Sequence, residues 1–356
     1  MIGKAIFLGG NAQSLNDVAG QPIAEYVHTK SGTVHNLTGP QNAKYINFKA
    51  TGDYNDGDTW TLNNKPVTVT YNGGEELLPT AVLVGDVVQT VVMGNQLRLM
   101  LQKPTPQPSI SDNWNLTKPV NQRAKDNYTG GNVYAFDRWV LVYGESGNAN
   151  ISLTSNGVKI NGSGGIRQFL EADLKGRICT IAVLDSEDNL FIVTSPILNT
   201  EKSEWQISKH FENLWIGFRF REDRERTWDL TITALEKTLK AAKIEFGNRF
   251  TGWPAWDYGT ELVKCQKYFR VAKRWDFWKG IDVQPNYIDF PFPGLYGMRT
   301  KPAIINPEGF NLSKQGFTFE LVSFGISPRL RAAKTNHGLT GALLEANSNI
   351  YFDANL

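Results

Sequence analysis

The side chains that carry most enzymatic chemistry are scattered through this sequence. Its four histidines, His28, His35, His210 and His337, form neither an HExxH nor an HxH spacing, so no sequence-local pair is set up to share a metal. There is no Gly-x-Ser-x-Gly elbow, no Gly-x-Gly-x-x-Gly and no P-loop lysine. Gly162-Ser163-Gly164-Gly165 follows a strand pattern but opens no helix, which makes it a sandwich turn rather than a phosphate cradle. Asp53 to Asp58 has the look of a calcium loop. However, Gly57 comes one place early, and Asn64 stands where the twelfth position needs a bidentate Glu, so the segment reads as a polar hairpin turn. Cys179 and Cys265 lack metal or redox spacing and read as two buried free thiols. A pair of carboxylates brought together in space needs no sequence signature, so glycoside hydrolysis stays open as an alternative. No cofactor, catalytic residue or metal site is expected.

Binding chemistry is better represented. Trp253, Trp256, Tyr258, Trp275, Phe277, Trp278, Tyr287, Phe290, Phe292 and Tyr296 crowd into one stretch. Pyranose rings offer apolar C–H faces to such rings, while neighbouring Asp, Asn and Arg hold the hydroxyls. Most of these aromatics are expected to fill a core or a subunit interface. Trp275-Asp276-Phe277-Trp278-Lys279-Gly280 mixes charge with aromatics just past a helix. Trp275, Asp276, Trp278 and Tyr287 are therefore the candidate carbohydrate-binding residues. The run from Arg219 to Arg226 alternates basic and acidic side chains and reads as a solvated hairpin.

The elements that must position these residues are strands. Tyr45–Phe48, Thr59–Leu62 and Val67–Tyr71 are separated by Asp56-Gly57-Asp58 and Asn63-Asn64, with Asn72-Gly73-Gly74 after them, all residue types that tolerate positive φ. Runs at 81–84 and 87–93, then a turn at Gly94-Asn95 into a last strand ending near Leu101, complete a small β-domain, read as a meander. Lys103 to Pro108 carries a proline at every second position and reads as an extended spacer. Strands then come at Arg138–Val142, Ala149–Thr154, Gly157–Ile160, Ile178–Leu184, Leu190–Thr194, Leu214–Phe220 and Trp228–Leu235, a sandwich pattern. A single helix is expected at Tyr258–Val271, with strands at Ala303–Ile305 and Phe317–Val322 after it.

At 356 residues the chain is long enough for two or three cores. Lys plus Arg number 37 against 35 Asp plus Glu, so no overall field draws it to nucleic acid or an anionic membrane. No stretch has the roughly 18 apolar residues of a membrane span, and residues 1–13 lack a signal-type apolar region. Synthesis in a cytoplasm without membrane insertion is expected.

Three motif groups in residues 112–302 resemble the jelly-roll, carbohydrate-binding-like domain of phage tail fibre and receptor-binding proteins. The first is Trp114-Asn115, Asn121-Gln122-Arg123 and Tyr134-Ala135-Phe136-Asp137-Arg138-Trp139. The second is Gly165-Ile166-Arg167-Gln168-Phe169-Leu170-Glu171, then Leu174-Lys175-Gly176-Arg177 and Thr180. The third is Ala242 to Asn248, Thr251, Glu261-Leu262, Cys265-Gln266-Lys267-Tyr268-Phe269 and Met298-Arg299-Thr300-Lys301-Pro302, with Lys267 where the family usually has Arg. The terminal Tyr351 to Leu356 is similar to the family's last strand, although Asn355 replaces an acid, and residues 45–101 look like a small module common in tail fibres.

The resemblance implies an all-β chain with one short helix: an N-terminal attachment region (1–40), a small β-domain (41–102), a Pro-rich linker (103–110) and a jelly-roll receptor-binding domain (111–356). It further implies a homotrimer in the virion tail, assembled with other tail proteins and binding host-surface polysaccharide without catalysis. A purely structural adaptor or baseplate protein and a polysaccharide depolymerase are the alternatives. The family's motif residues, Asp137-Arg138-Trp139 included, are expected to be structural: a core strand with an ion pair.

Overall fold

Buried and exposed side chains alternate from Ile23 onward, as a strand with one face in a core requires. The computed structural model describes residues 23–144, 147–201, 204–222, 227–273, 276–292, 298, 301–323, 328–339 and 343–354. The first seven strands, β1 (Ile23–Ser31), β2 (Val34–Thr38), β3 (Tyr45–Lys49), β4 (Thr59–Leu62), β5 (Lys65–Thr70), β6 (Val87–Met93) and β7 (Gln96–Leu99), close into a barrel in the order β1-β2-β4-β5-β7-β6-β3. Leu37, Ile46, Phe48, Trp60, Leu97 and Leu99 fill it. Two of the expected hairpins form. Asn63 and Asn64, at φ 49° and 66°, make the two-residue turn from β4 to β5, and Gly94-Asn95 joins β6 to β7.

A meander would pair each strand only with its neighbours in sequence, and this barrel does not. β1 runs parallel to β3, β2 to β4 and β5 to β7. Parallel pairing needs a long connection, and β3 with residues 50–58 supplies it between β2 and β4; β3 and β4 are not neighbours, so residues 50–58 are a crossover rather than the hairpin turn expected there. Strands β1 and β2, from the stretch read as an attachment region, are the staves that shut the barrel. Residues 1–22 lie outside the described residues.

The Pro-rich stretch has no regular structure, but it is laid against the sandwich on its C-terminal side. The Gln107 amide donates to Thr251 Oγ1 at 2.8 Å and the Ile110 amide to the Ile244 carbonyl at 2.8 Å. This sandwich has two β-sheets. Its strands are β8 (Asn127–Gly130), β9 (Val140–Val142), β10 (Ala149–Thr154), β11 (Gly157–Asn161), β12 (Ser163–Leu170), β13 (Cys179–Asp185), β14 (Leu190–Thr194), β15 (Trp205–Phe211), β16 (Leu214–Arg221), β17 (Thr227–Leu235) and β18 (Thr238–Phe246). One sheet has six strands, β14-β13-β18-β11-β10-β8, and the other five, β15-β16-β17-β12-β9. Both contribute to one core, with Ile151, Ile181 and Ile244 from the first sheet and Ile166, Phe218 and Leu230 from the second.

Beyond residue 250 the span expected as a single sandwich continues into a second, separate core. Helix α1 (Tyr258–Cys265) is shorter than the periodicity indicates. Asp257 caps it, accepting from the Gly259 amide at 3.0 Å and the Thr260 hydroxyl at 2.7 Å. It stops because β19 (Phe269–Ala272) is drawn into a sheet, Phe269 pairing with Asp353 and Ala272 with Ile350. β20 (Phe277–Lys279), β21 (Asp282–Gln284), β22 (Tyr287–Pro291), β23 (Ala303–Ile305), β24 (Thr318–Ser323), β25 (Arg329–Ala333), β26 (Leu343–Glu345) and β27 (Ile350–Asp353) build three small sheets around Phe290, Phe310, Leu330 and Phe352.

Several of the motif residues, among them Asp137, Trp139, Gln168 and Glu261, meet around Asp112 and Asn113 in one buried polar junction. Asn113 bonds through its side chain with both backbone groups of Val120 and with the Asp137 carbonyl. Its own amide donates to Glu261 Oε2, and its carbonyl accepts from Trp139 Nε1. Gln168 grips the Asp112 amide and carbonyl, each at 2.8 Å. Asp137 and Arg138 sit in a turn and the strand begins only at Val140, which corrects the expected core strand. Arg138 takes φ 72°, pairs with Asp112 at 3.1 Å, and lies 3.5 Å over the Tyr268 ring. Asp137 pairs instead with Arg123, whose other arm reaches Asp353 at 3.1 Å and ties the sandwich to the last sheet.

Candidate ligand-binding face

The segment singled out for sugar stacking is dispersed. Trp275 lies outside the described residues. Trp278 is half-buried in β20, its ring stacked on Phe292 at 4.2 Å and edge-on to Phe310 at 6.2 Å, so one of its faces is taken by the core. Asp276 is exposed, but its carboxylate accepts from the Lys273 amide at 2.8 Å and closes the turn ahead of β20. Tyr287 is on another sheet, in β22, under the Arg331 guanidinium at 3.7 Å. Among the described residues these side chains do not converge on a common site. Of the other aromatics in that stretch, Trp253 stacks on Trp114 at 5.8 Å, Trp256 meets Trp114 edge-on at 5.5 Å, and Phe290 is fully buried.

A more suitable surface lies on the outer side of the five-stranded sheet. Along β16, Leu214, Ile216, Phe218 and Phe220 enter the core, so alternation turns Trp215, Gly217, Arg219 and Arg221 outward. The same rule places Asp229, Thr231 and Thr233 of β17 and Arg167 of β12 on that face. Trp205 of β15 joins them opposite Arg219.

Glycine sets the height of this surface. A Cβ on Gly217 would fall 2.2 Å from Trp215 Cη2 and 2.8 Å from Trp205 Cζ3, so both indoles lie over bare backbone. Their ring centroids are 4.9 Å apart at 85°, a T-shaped pair, and Trp215 Nε1 donates to Ser208 Oγ at 3.0 Å. Gly131 does the same for Tyr143, since a Cβ there would meet the ring at 2.0 Å; Tyr143 remains 53% exposed.

A cleft of about 390 Å³ opens beside this pair, within the size range of small-molecule sites. Trp215, Tyr143 and Phe211 give it aromatic walls, and Ser163, His210, Asn213 and Thr233 supply donors and acceptors. Aromatic platforms flanked by hydroxyl, amide and imidazole groups are the chemistry expected near residue 275, but here separate strands assemble it. Outward positions that alternate along Leu214–Arg221 are the sequence signal that could have found it.

A second cleft, about 470 Å³, lies at the end of the sheet between Glu171, Asp173, Lys175, Thr200 and Glu222.

Histidines that the sequence leaves scattered meet inside the barrel. His28 Nδ1 accepts the Thr51 amide at 2.9 Å, so its proton is on Nε2, which faces His35 Nδ1 at 2.9 Å. His35 then presents Nε2–H to Asp58 at 2.9 Å, and Lys30 pairs with the same carboxylate at 2.6 Å. Burial, with the neighbouring His35 and Lys30, pushes His28 down to about 4. Burial likewise lowers His35, outweighing the opposing contact with Asp58. Burial would raise Asp58, but hydrogen bonds from Lys30, the Asn55 amide and His35 outweigh it and hold the carboxyl below its usual range. No group of three or more His, Cys, Asp or Glu side chains suited to a metal occurs among the described residues.

No protein-family model, curated protein or solved structure matches the chain.

Proposed function

We propose that this chain is a receptor-binding protein of a phage tail fibre or tail tip whose jelly-roll sandwich holds host-surface glycans without catalysis. The outer face of the five-stranded sheet carries this reading: Trp205 and Trp215 cross over Gly217 beside a cleft edged by Tyr143, His210 and Asn213. The motifs resembling tail fibre domains add the biological setting. They also account for the polar junction, where those residues do structural duty and leave the sheet face available for recognition. A single shallow site of this kind binds weakly, and three copies in a homotrimer would raise avidity by about 10² or more where geometry permits.

The decisive experiment measures binding of the full chain to extracted host-surface polysaccharides, with melting temperature alongside. Removing a stacked ring costs on the order of 1–3 kcal/mol by analogy with base stacking. Trp215→Ala is therefore expected to weaken binding by about one to two decades while leaving the fold intact. Trp278→Ala is expected to lower the melting temperature and leave affinity unchanged. Retained binding in both Trp215→Ala and Tyr143→Ala would reject the site. Reducing ends released from the polysaccharide, and lost in Glu171→Gln, would transfer the function to the acidic cleft as a depolymerase. A solution mass near 39.8 kDa instead of three times that value would remove the trimer.

A further inference from the structure

We propose that the ligand of this face is a run of about four linked sugar units lying across the strands, with His210 and Tyr143 holding its two ends. This inference rests on the sheet face being the sugar-binding surface. It names the class of ligand, a segment of linear chain in place of a single sugar.

Strand register makes the cleft follow one row across the whole sheet. His210 of β15 lies opposite Trp215 of β16, and Trp215 lies opposite Thr233 of β17. Thr233 is paired in turn with Gly165 of β12, and Gly165 with Val142 of β9, which runs into Tyr143. All five strands, or the residues at their ends, therefore contribute to one cleft. Ile166 enters the core, so alternation turns Gly165 outward, and its missing side chain keeps the row low between Thr233 and the end of β9. Neighbouring strands lie about 4.8 Å apart, which puts the backbones of His210 and Tyr143 roughly 19 Å apart and those of Trp215 and Tyr143 roughly 14 Å apart.

The breadth of a pyranose is comparable with one strand spacing, so a sugar stacked on Trp215 falls well short of Tyr143. Only linked units use both rings. The polar groups are spread in the same way. The Tyr143 hydroxyl, the His210 imidazole, the Asn213 side-chain amide and the Thr233 hydroxyl make no hydrogen bond among the described residues. One follows β9, one lies in β15, one in the β15–β16 turn and one in β17, so sugar hydroxyls are met along the row and not around a single ring. Tyr143, 53% exposed, stands at the β9 end with its ring available. A linked unit that reaches a further contact pays no second loss of translational freedom, so affinity climbs with length until the row is filled.

The test prepares fragments of one, two, four and six sugar units by partial hydrolysis of host-surface polysaccharide and titrates each into the full chain in a calorimeter. Affinity is expected to rise roughly tenfold or more from one unit to four, and at most about twofold from four to six. Tyr143→Ala and His210→Ala, at opposite ends of the row, are each expected to remove part of the gain between two units and four, with melting temperatures near wild type. Tyr143→Phe is expected to keep the share owed to the ring. A single unit that binds as tightly as four, a continued steep rise to six, or a length dependence that survives either alanine variant overturns the inference. The sugar-binding face then still stands if Trp215→Ala weakens the longest fragment. Binding of no fragment, or binding indifferent to Trp215→Ala, overturns both.

Discussion

At the scale of single residues, the barrel histidines show how a buried hydrogen-bond chain turns into a pH response. Donors run in one direction, from the Thr51 amide through His28 and His35 to Asp58. A proton added to either ring would set one N–H against another. In the unfolded chain His28 takes its proton near its ordinary value of about 6.5, but in the barrel only near 4. The unfolded state therefore binds more protons between those values. Stability from this residue is complete above pH 6.5, falls as pH drops towards 4, and changes no further below that. The loss is up to about 3 kcal/mol. Urea midpoints measured across pH 7 to 4 should show this decline, and His28→Gln should flatten it. An unchanged slope in that variant would assign the acid sensitivity to other groups.

The five-stranded sheet shows how an element can present a ligand face without any one strand announcing it. β16 supplies Trp215, Gly217 and Arg219, but Trp205 comes from β15 and Asp229 from β17. The missing side chain at Gly217 lets the two indoles settle over the strand. Gly217→Ala puts a methyl into ring atoms that can swing away, so the backbone has no need to move. Glycan affinity is expected to fall roughly tenfold while the melting temperature stays within a few degrees of wild type. The magnitude is the low end of a lost stacking contact. A melting temperature that collapses along with binding would show the glycine to be a folding requirement. Helix α1 makes a complementary point. Asp257 begins it as its residue type indicates, but pairing with β27 ends it earlier than the apolar periodicity would.

At the scale of the whole molecule, Arg249 and Phe250, on the sandwich side, tie the sandwich to the barrel. Arg249 donates to the Thr80 and Ala81 carbonyls at 3.0 and 2.7 Å and grips both oxygens of Asp86 at 2.9 and 2.7 Å, while the Phe250 amide reaches Thr80 Oγ1 at 2.7 Å. Arg249 and Asp86 are part-exposed, so the ion pair itself is worth about 1 kcal/mol or less. Its consequence is geometric: with Gln107 and Ile110 also tied to the sandwich, the Pro-rich stretch is a braced connector. Limited proteolysis is expected to cut wild-type protein slowly at residues 103–108 and Arg249→Ala several-fold faster, leaving a stable C-terminal fragment. Equal rates would mean that the clamp contributes nothing in solution. Acid should act on the two parts in opposite senses. Burial raises Asp137 to about 6, so the sandwich gains stability as pH falls from 6 towards 4, through the window in which the barrel loses it.

The amino-acid sequence determined the β-rich class, the turns at Asn63-Asn64 and Gly94-Asn95, the start of the helix and most sandwich strands, because those depend on φ preference, capping and alternation within a few residues. It did not determine which side chains meet in the polar junction, whose centre, Asn113, lies outside the motifs. It did not determine strand order. The parallel pairs of the barrel, the recruitment of Ile23–Thr38 into it and the second core after residue 250 rest on contacts between residues tens of positions apart, which local pattern does not encode. The candidate face was illegible for the same reason. Trp205, Trp215, Arg167 and Asp229 become neighbours only when β15, β16, β17 and β12 pair, whereas the dense aromatics near residue 275 are adjacent already in the chain. Proximity in sequence marked what the core would consume, and sheet register decided which rings faced solvent.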